Sequence, residues 1–145
     1  MEASCEETTL EHFETVIHLL KELWPSKKFN KDALYKVFVR GLESESDYLV
    51  SAVVDGEVVG FGSLVIKNSF WQESFVGYLT TLVVSEKYRG YGIGKQLIRH
   101  FEQAAKERLC KRLELDSGFH REGSHAFYEY IGFNKRGYVF SKELI

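Results

Sequence analysis

Three glycines, Gly90, Gly92 and Gly94, alternate with Tyr91 and Ile93 between two cations, Arg89 and Lys95. Such a run can turn successive backbone N–H groups into one concavity, and glycine is required where a side chain would block an anion or strain the backbone. The chemistry this suits is anion binding. The P-loop pattern is excluded, because Gly94-Lys95 is followed by Gln96 and the upstream glycine spacing fails. The dinucleotide fingerprint fails too, since Leu97 stands where its third glycine belongs. Groups able to accept or give a proton are Glu73, Asp116, His120, Glu122, His125 and Tyr128. Of these, the histidines have the suitable unperturbed pKa, while Asp116 stands at the C-terminal end of a short strand pattern.

The flanking patterns say what would position these groups. Leu79 to Val84 is an apolar, β-branched run that reads as the end of a buried central strand, Phe75–Val84. After Ser85-Glu86-Lys87, helical spacing runs through Ile93, Leu97, Ile98, Phe101, Ala104, Ala105 and Leu109. The glycine run thus sits at the positive end of a helix macrodipole. This helix is expected to end near Cys110, with Lys111 and Arg112 in or just past its last turn. Leu113 to Asp116 alternates as a strand, and Ser117-Gly118-Phe119 turns the chain. A short helix from Gly123 and Ser124 carries Phe127, Tyr128 and Tyr130, with Gly132 at its C′ position. Phe133–Arg136 and Tyr138–Leu144 read as a final hairpin around Gly137.

Upstream, residues 1–5 are either a first edge strand or a tail. Thr8-x-x-Glu11 reads as a capping box for a helix through Leu10, Phe13, Val16, Ile17, Leu20 and Leu23, which Pro25 stops at Trp24. Asn30 caps a second helix with an apolar face of Leu34, Val37, Phe38 and Leu42. Asp55-Gly56 joins strands Tyr48–Val54 and Glu57–Ile66, and Gly60 and Gly62 mark a bulge or a close backbone approach. Lys67 to Ser74 is a loop whose Phe70 and Trp71 either stack on a substrate or fold back on the sheet.

Arg89-x-x-Gly92-x-Gly94 after Leu82-Val83-Val84 resembles the (Arg/Gln)-x-x-Gly-x-(Gly/Ala) motif of the GNAT family of N-acetyltransferases. The run Ala126-x-Tyr128-x-x-x-Gly132-Phe133 resembles that family's second motif, in the same order and spacing. The resemblance covers about residues 47 to 140. It implies an α/β (α+β) fold, a three-layer α/β/α sandwich with one mixed central sheet, in a single N-acetyltransferase domain over 1–145. It implies acetyl transfer from acetyl-CoA to the amine of a small molecule or a protein N-terminus, with no metal. By resemblance, the backbone of Leu82, Val83 and Val84 holds pantetheine. Arg89, Gly90, Tyr91, Gly92, Ile93, Gly94 and Lys95 hold the pyrophosphate, and Tyr128 lies near the sulfur as general acid. Trp24, Phe29, Trp71, Thr80 and Asp116 are the acceptor-side residues, each aromatic having a core role as its alternative.

Two positions depart from the family. Thr80 and Thr81 stand where many relatives carry Glu and then Asp, so a base must lie elsewhere; Asp116 is the favoured carboxylate. Arg121 replaces an Asn often found seven residues before Tyr128, and either touches CoA phosphates or faces solvent. The lost acids also leave open a non-catalytic CoA-binding regulatory module.

Composition narrows the classes further. A chain of 145 residues suits one core. A formal net charge of −2 gives no basic field for nucleic acid. No apolar run approaches the ~20 residues of a membrane span, and the acidic start lacks the order of a signal peptide. Cys5 and Cys110 read as reduced thiols, and the expected location is cytoplasmic. The partners expected are acetyl-CoA and a small amine, without nucleic acid or membrane, and with a homodimer left open.

Overall fold

In the computed structural model, which describes residues 2–145, the helical spacing after the glycine run becomes α3 (Ile93–Glu107). Its buried face (Ile93, Leu97, Ile98, Phe101, Ala104, Ala105) lies on a five-stranded sheet. The strands are β1 (Ser4–Glu7), β2 (Asp47–Val54), β3 (Glu57–Ser69), β4 (Ser74–Val84) and β5 (Cys110–Leu115), in spatial order β1-β2-β3-β4-β5. All neighbours are antiparallel except β4 and β5, which are parallel across the α3 crossover. On the opposite face, Val16, Ile17 and Leu20 of α1 (Phe13–Leu23) and Phe38 of α2 (Lys31–Glu43) pack against Phe61 and Val83. After β5, α4 (Glu122–Tyr130) brings Ile131 and Phe133 onto the α3 side. This is a three-layer sandwich with one mixed sheet.

Local signals translate directly where they are strong. Asn30 accepts the Ala33 N–H at 2.9 Å as the α2 cap, and α1 ends at Leu23, ahead of Pro25. Asp55 (φ 50°) and Gly56 (φ 80°) form the left-handed pair of a tight hairpin. Gly132 (φ 106°) completes a Schellman turn, in which the Phe133 N–H bonds to Tyr128 O at 2.9 Å and the Gly132 N–H to Glu129 O at 3.2 Å.

Elsewhere the structure corrects the sequence reading. The first cap is Thr9, whose N–H meets His12 Nδ1 at 3.3 Å, because the Thr8 hydroxyl is buried in a 2.7 Å bond with Ser51 Oγ. Val37 is exposed, off the α2 contact face. α3 stops at Glu107 because Leu109 takes the left-handed conformation (φ 61°), so Lys111 and Arg112 belong to β5. The segment expected as a loop from Lys67 is strand through Ser69, leaving only 70–73 as the turn. The final hairpin is absent: among the described residues no strand follows β5. A two-stranded ribbon needs an apolar surface to rest on, and Tyr138, Val139, Phe140 and Leu144 face solvent.

Gly60 and Gly62 mark the close approach of α3. A Cβ at Gly62 would lie 2.5 Å from Phe101 Cε2, and Phe101 is wholly buried. Gly62→Ala is therefore expected to lower the unfolding free energy by about 1–3 kcal/mol in urea titrations. Unchanged stability would contradict this packing.

Candidate active site

The last residues of β4 and β5 to pair are Leu79 and Leu115, yet β4 continues to Val84 with β3 on its other side. One residue past that pair, Thr80 is extra. Ser63 of β3 faces Thr81 and Leu64 faces Leu79, while the Thr80 and Ser63 hydroxyls bond to one another. A bulge bends its strand, and this one sits where the two strands part. Thr80, Thr81 and Leu82 form one wall of the resulting cleft. Leu115, Asp116, Ser117 and Gly118 form the other, with His120, Arg121 and Tyr128 behind them and Leu23 and Trp24 at the end of α1. The cleft holds about 190 Å³.

At the far end of β4 the glycine run leads into α3. Gly90 (φ 86°) and Gly92 (φ 82°) are left-handed, and a Cβ at either would meet nothing within 4 Å. The first helical bond is Gln96 N–H to Gly92 O at 3.0 Å. Among the described residues, the N–H groups of 90–95 have no protein partner. No acidic residue lies in the first turn of α3, and Lys95 is exposed there. Arg89 Nε donates to Val84 O at 3.1 Å, folding the loop onto the strand end. Unspent amides at a positive helix end fit an anion such as a pyrophosphate.

α4 carries Tyr128 to this loop, since Phe127 Cζ lies 3.6 Å from where a Gly94 Cβ would stand. The Tyr128 ring packs edge-on against Phe133, with centroids 5.8 Å apart. Burial pushes the Tyr128 hydroxyl above the usual tyrosine range, while the charge of the nearby Arg121 guanidinium pulls it back. Across the cleft, Asp116 Oδ1 accepts the Tyr78 hydroxyl, and Lys67 Nζ stands 4.4 Å over the Tyr78 ring. Burial first, then Asp116, raise Tyr78 to about 12.

The structure thus gathers Trp24, Thr80, Leu82, Asp116 and Tyr128 in one cleft, with the run Arg89 to Lys95 beyond its end. Val83 points to the other face, into the α1/α2 layer. Phe29 packs on that layer beside Trp24, with ring centroids 6.3 Å apart, and does not line the cleft. Trp71 is exposed at the β3–β4 turn beneath Arg136, outside the cleft. Glu73, Glu122 and His125 also lie outside it. Tyr78 is the polar partner the sequence reading missed, because only the β4–β5 register brings it to Asp116. Among the described residues no His, Cys, Asp or Glu cluster is able to hold a metal ion, and no helix is long and apolar enough to cross a membrane.

A family model described as "Acetyltransferase (GNAT) family" matches residues 13–133. The chain is 29% identical over 136 residues to the aminoalkylphosphonate N-acetyltransferase of Salmonella typhimurium, covering 94% of this chain and 88% of that protein. It is 38% identical over 79 residues to a glucosamine 6-phosphate N-acetyltransferase of Trypanosoma brucei brucei, covering 54% of this chain and 52% of the relative. Among solved structures, an aminoglycoside N-acetyltransferase in complex with CoA superposes with a TM-score of 0.84 at 22% identity, covering 99% and 95% of the two chains. That likeness is one of fold.

The Arg121 charge favours the ionised form of Tyr128, so removing it favours the neutral phenol. Arg121→Gln is expected to raise the Tyr128 pKa further, read from the pH dependence of its ring carbon resonance. A titration unchanged or moved downward would contradict the contact.

Proposed function

Because the chain belongs to the acetyltransferase (GNAT) family and is by membership an acetyl-CoA-dependent N-acetyltransferase, we propose that it acetylates the primary amine of a small molecule by direct attack. The observation that carries this reading is the alignment of three unspent features along one strand. The outer edge of Thr80–Val84 has no β5 partner, the amides of 90–95 are free at its end, and Tyr128 stands beside both. In this reading the open edge takes pantetheine as a strand-like partner through Leu82 and Val84, and the loop amides hold the pyrophosphate of acetyl-CoA.

The acceptor nitrogen then attacks the thioester carbonyl carbon, forming the C–N bond as the C–S bond breaks. Tyr128 gives its proton to the departing sulfur. Asp116, whose second oxygen has no protein partner among the described residues, draws in the acceptor ammonium and takes one proton from it, freeing the lone pair that attacks; the second proton, lost as the amide forms, replaces the one Tyr128 gave to sulfur. Thr80 and Thr81 cannot do so near neutral pH. A cleft of about 190 Å³ suits a small acceptor, as do the amines named for the two relatives. The free thiols Cys5 and Cys110 fit a reducing, cytoplasmic setting.

The test is release of free CoA across a panel of aminoalkylphosphonates, amino sugars, polyamines and peptides. Tyr128→Phe is expected to keep the fold and the acetyl-CoA affinity but to lose about 10²–10⁴-fold in turnover. Tyr130→Phe, 83% exposed and outside the cleft, is expected to be near neutral. Normal turnover by Tyr128→Phe would remove the general acid, and transfer to peptides but to no small amine would overturn the acceptor class.

A further inference from the structure

The open edge of β4 ends at Val84 and the free amides begin at Gly90, so the junction 85–89 sets how the two lie relative to each other. It is built around a single helical turn, Glu86–Tyr88. Most of its bonds stay within the loop or reach the adjoining strands. The Ser85 N–H donates to Val59 O at 2.7 Å, the Tyr88 N–H to Ser85 O at 2.9 Å and the Tyr88 hydroxyl to Glu57 Oε2 at 3.3 Å. Ser85 stands in the capping position but makes no side-chain cap. The Glu86 N–H donates instead to Glu22 Oε1 at 2.7 Å, in the last turn of α1. Among the described residues it is the one hydrogen bond that 85–89 makes outside β3, β4 and the loop itself.

Charge does not explain a carboxylate at this place. Among the described residues Glu22 pairs with no cation. Glu86 brings a second negative charge to the same contact, and the loop just beyond it suits an anion. Like charges near one site oppose binding. What Glu22 does supply is a strong acceptor for the N–H that opens a turn. Both residues are exposed, so water can replace the bond at little cost to folding.

We propose that Glu22 is a positioning residue for the cosubstrate. Its bond to the Glu86 N–H fixes the junction, and through it the aim of the amides of 90–95. The inference rests on the reading that those amides hold the pyrophosphate. Leu23 and Trp24, the next two residues of α1, line the cleft. The end of one helix thus ties a wall of the acceptor cleft to the loop that takes the phosphates.

The test is calorimetric titration of the full chain with CoA, alongside steady-state kinetics in acetyl-CoA. Glu22→Ala is expected to weaken CoA binding about 3–10-fold. The acetyl-CoA KM should rise in step, with kcat and the unfolding midpoint unchanged. Glu22→Gln keeps an acceptor oxygen and sheds the charge, so it is expected to bind CoA at least as tightly as the native chain. Unchanged or tighter binding by Glu22→Ala overturns the proposal, because the carboxylate would then be inert or merely repelling. Equal weakening by Ala and Gln overturns it as well, since the acceptor oxygen would not be what matters. Gly92→Val separates this inference from the loop reading. A loss of at least about tenfold in its CoA affinity upholds the loop whatever Glu22 does, and native affinity in that variant removes both.

Discussion

β4 loses its parallel neighbour after Leu79 and Leu115, and what the rest of the site does depends on that separation. From Thr80 to Val84 the strand keeps β3 on one side and, among the described residues, has no strand on the other. Peptide groups left without partners at the floor of a cleft are costly unless water or a ligand satisfies them. A ligand with amide groups of its own can lie along this edge as a substitute strand. The bulged Thr80 marks the start of that edge, and the Arg89–Val84 bond closes its end.

The aim of the helix start beyond that edge is set by packing rather than by the loop itself. α3 lies close on the sheet because Gly60, Gly62 and Gly77 put no side chain beneath it. A Cβ at these positions would meet Leu97, Phe101 and Ala105 at 3.3 Å or less. That fit fixes the helix axis and so the direction in which its free first-turn amides point. Gly90 and Gly92 serve a different need, the left-handed turn between strand and helix. The same chain thus spends glycine twice near one site, once for contact and once for conformation. α4 then locks on through Phe127 against Gly94 and the Schellman turn at Gly132, which together place Tyr128.

The parts legible in the sequence were those whose causes are local. The strand, glycine run and helix from Leu79 to Ala105, the Asn30 cap, the Asp55-Gly56 hairpin and the Gly132 stop each follow from neighbouring residues. The end of α3 was hidden because Leu109 continues the apolar helical spacing while its backbone has already left the helix (φ 61°). The bond from Tyr78 to Asp116 was hidden because it depends on strand register across a long crossover. Trp24, Phe29 and Trp71 have the same chemical character, and only tertiary position puts the first in the cleft and the others outside it. The C-terminal hairpin was expected from the apolar residues on either side of Gly137, but those residues do not say whether a surface exists for such a ribbon to rest on.

The central claim is that the loop amides and the open β4 edge hold acetyl-CoA together. Titration of the amide-labelled chain with CoA, followed by nitrogen–proton correlation spectra, tests it most directly. The account expects the largest shifts at Gly92, Ile93, Gly94, Leu82 and Val84, saturating at one common affinity. Shifts confined to the groove of Arg99, Tyr130 and Gly132 between α3 and α4, with 92–94 unmoved, would contradict it.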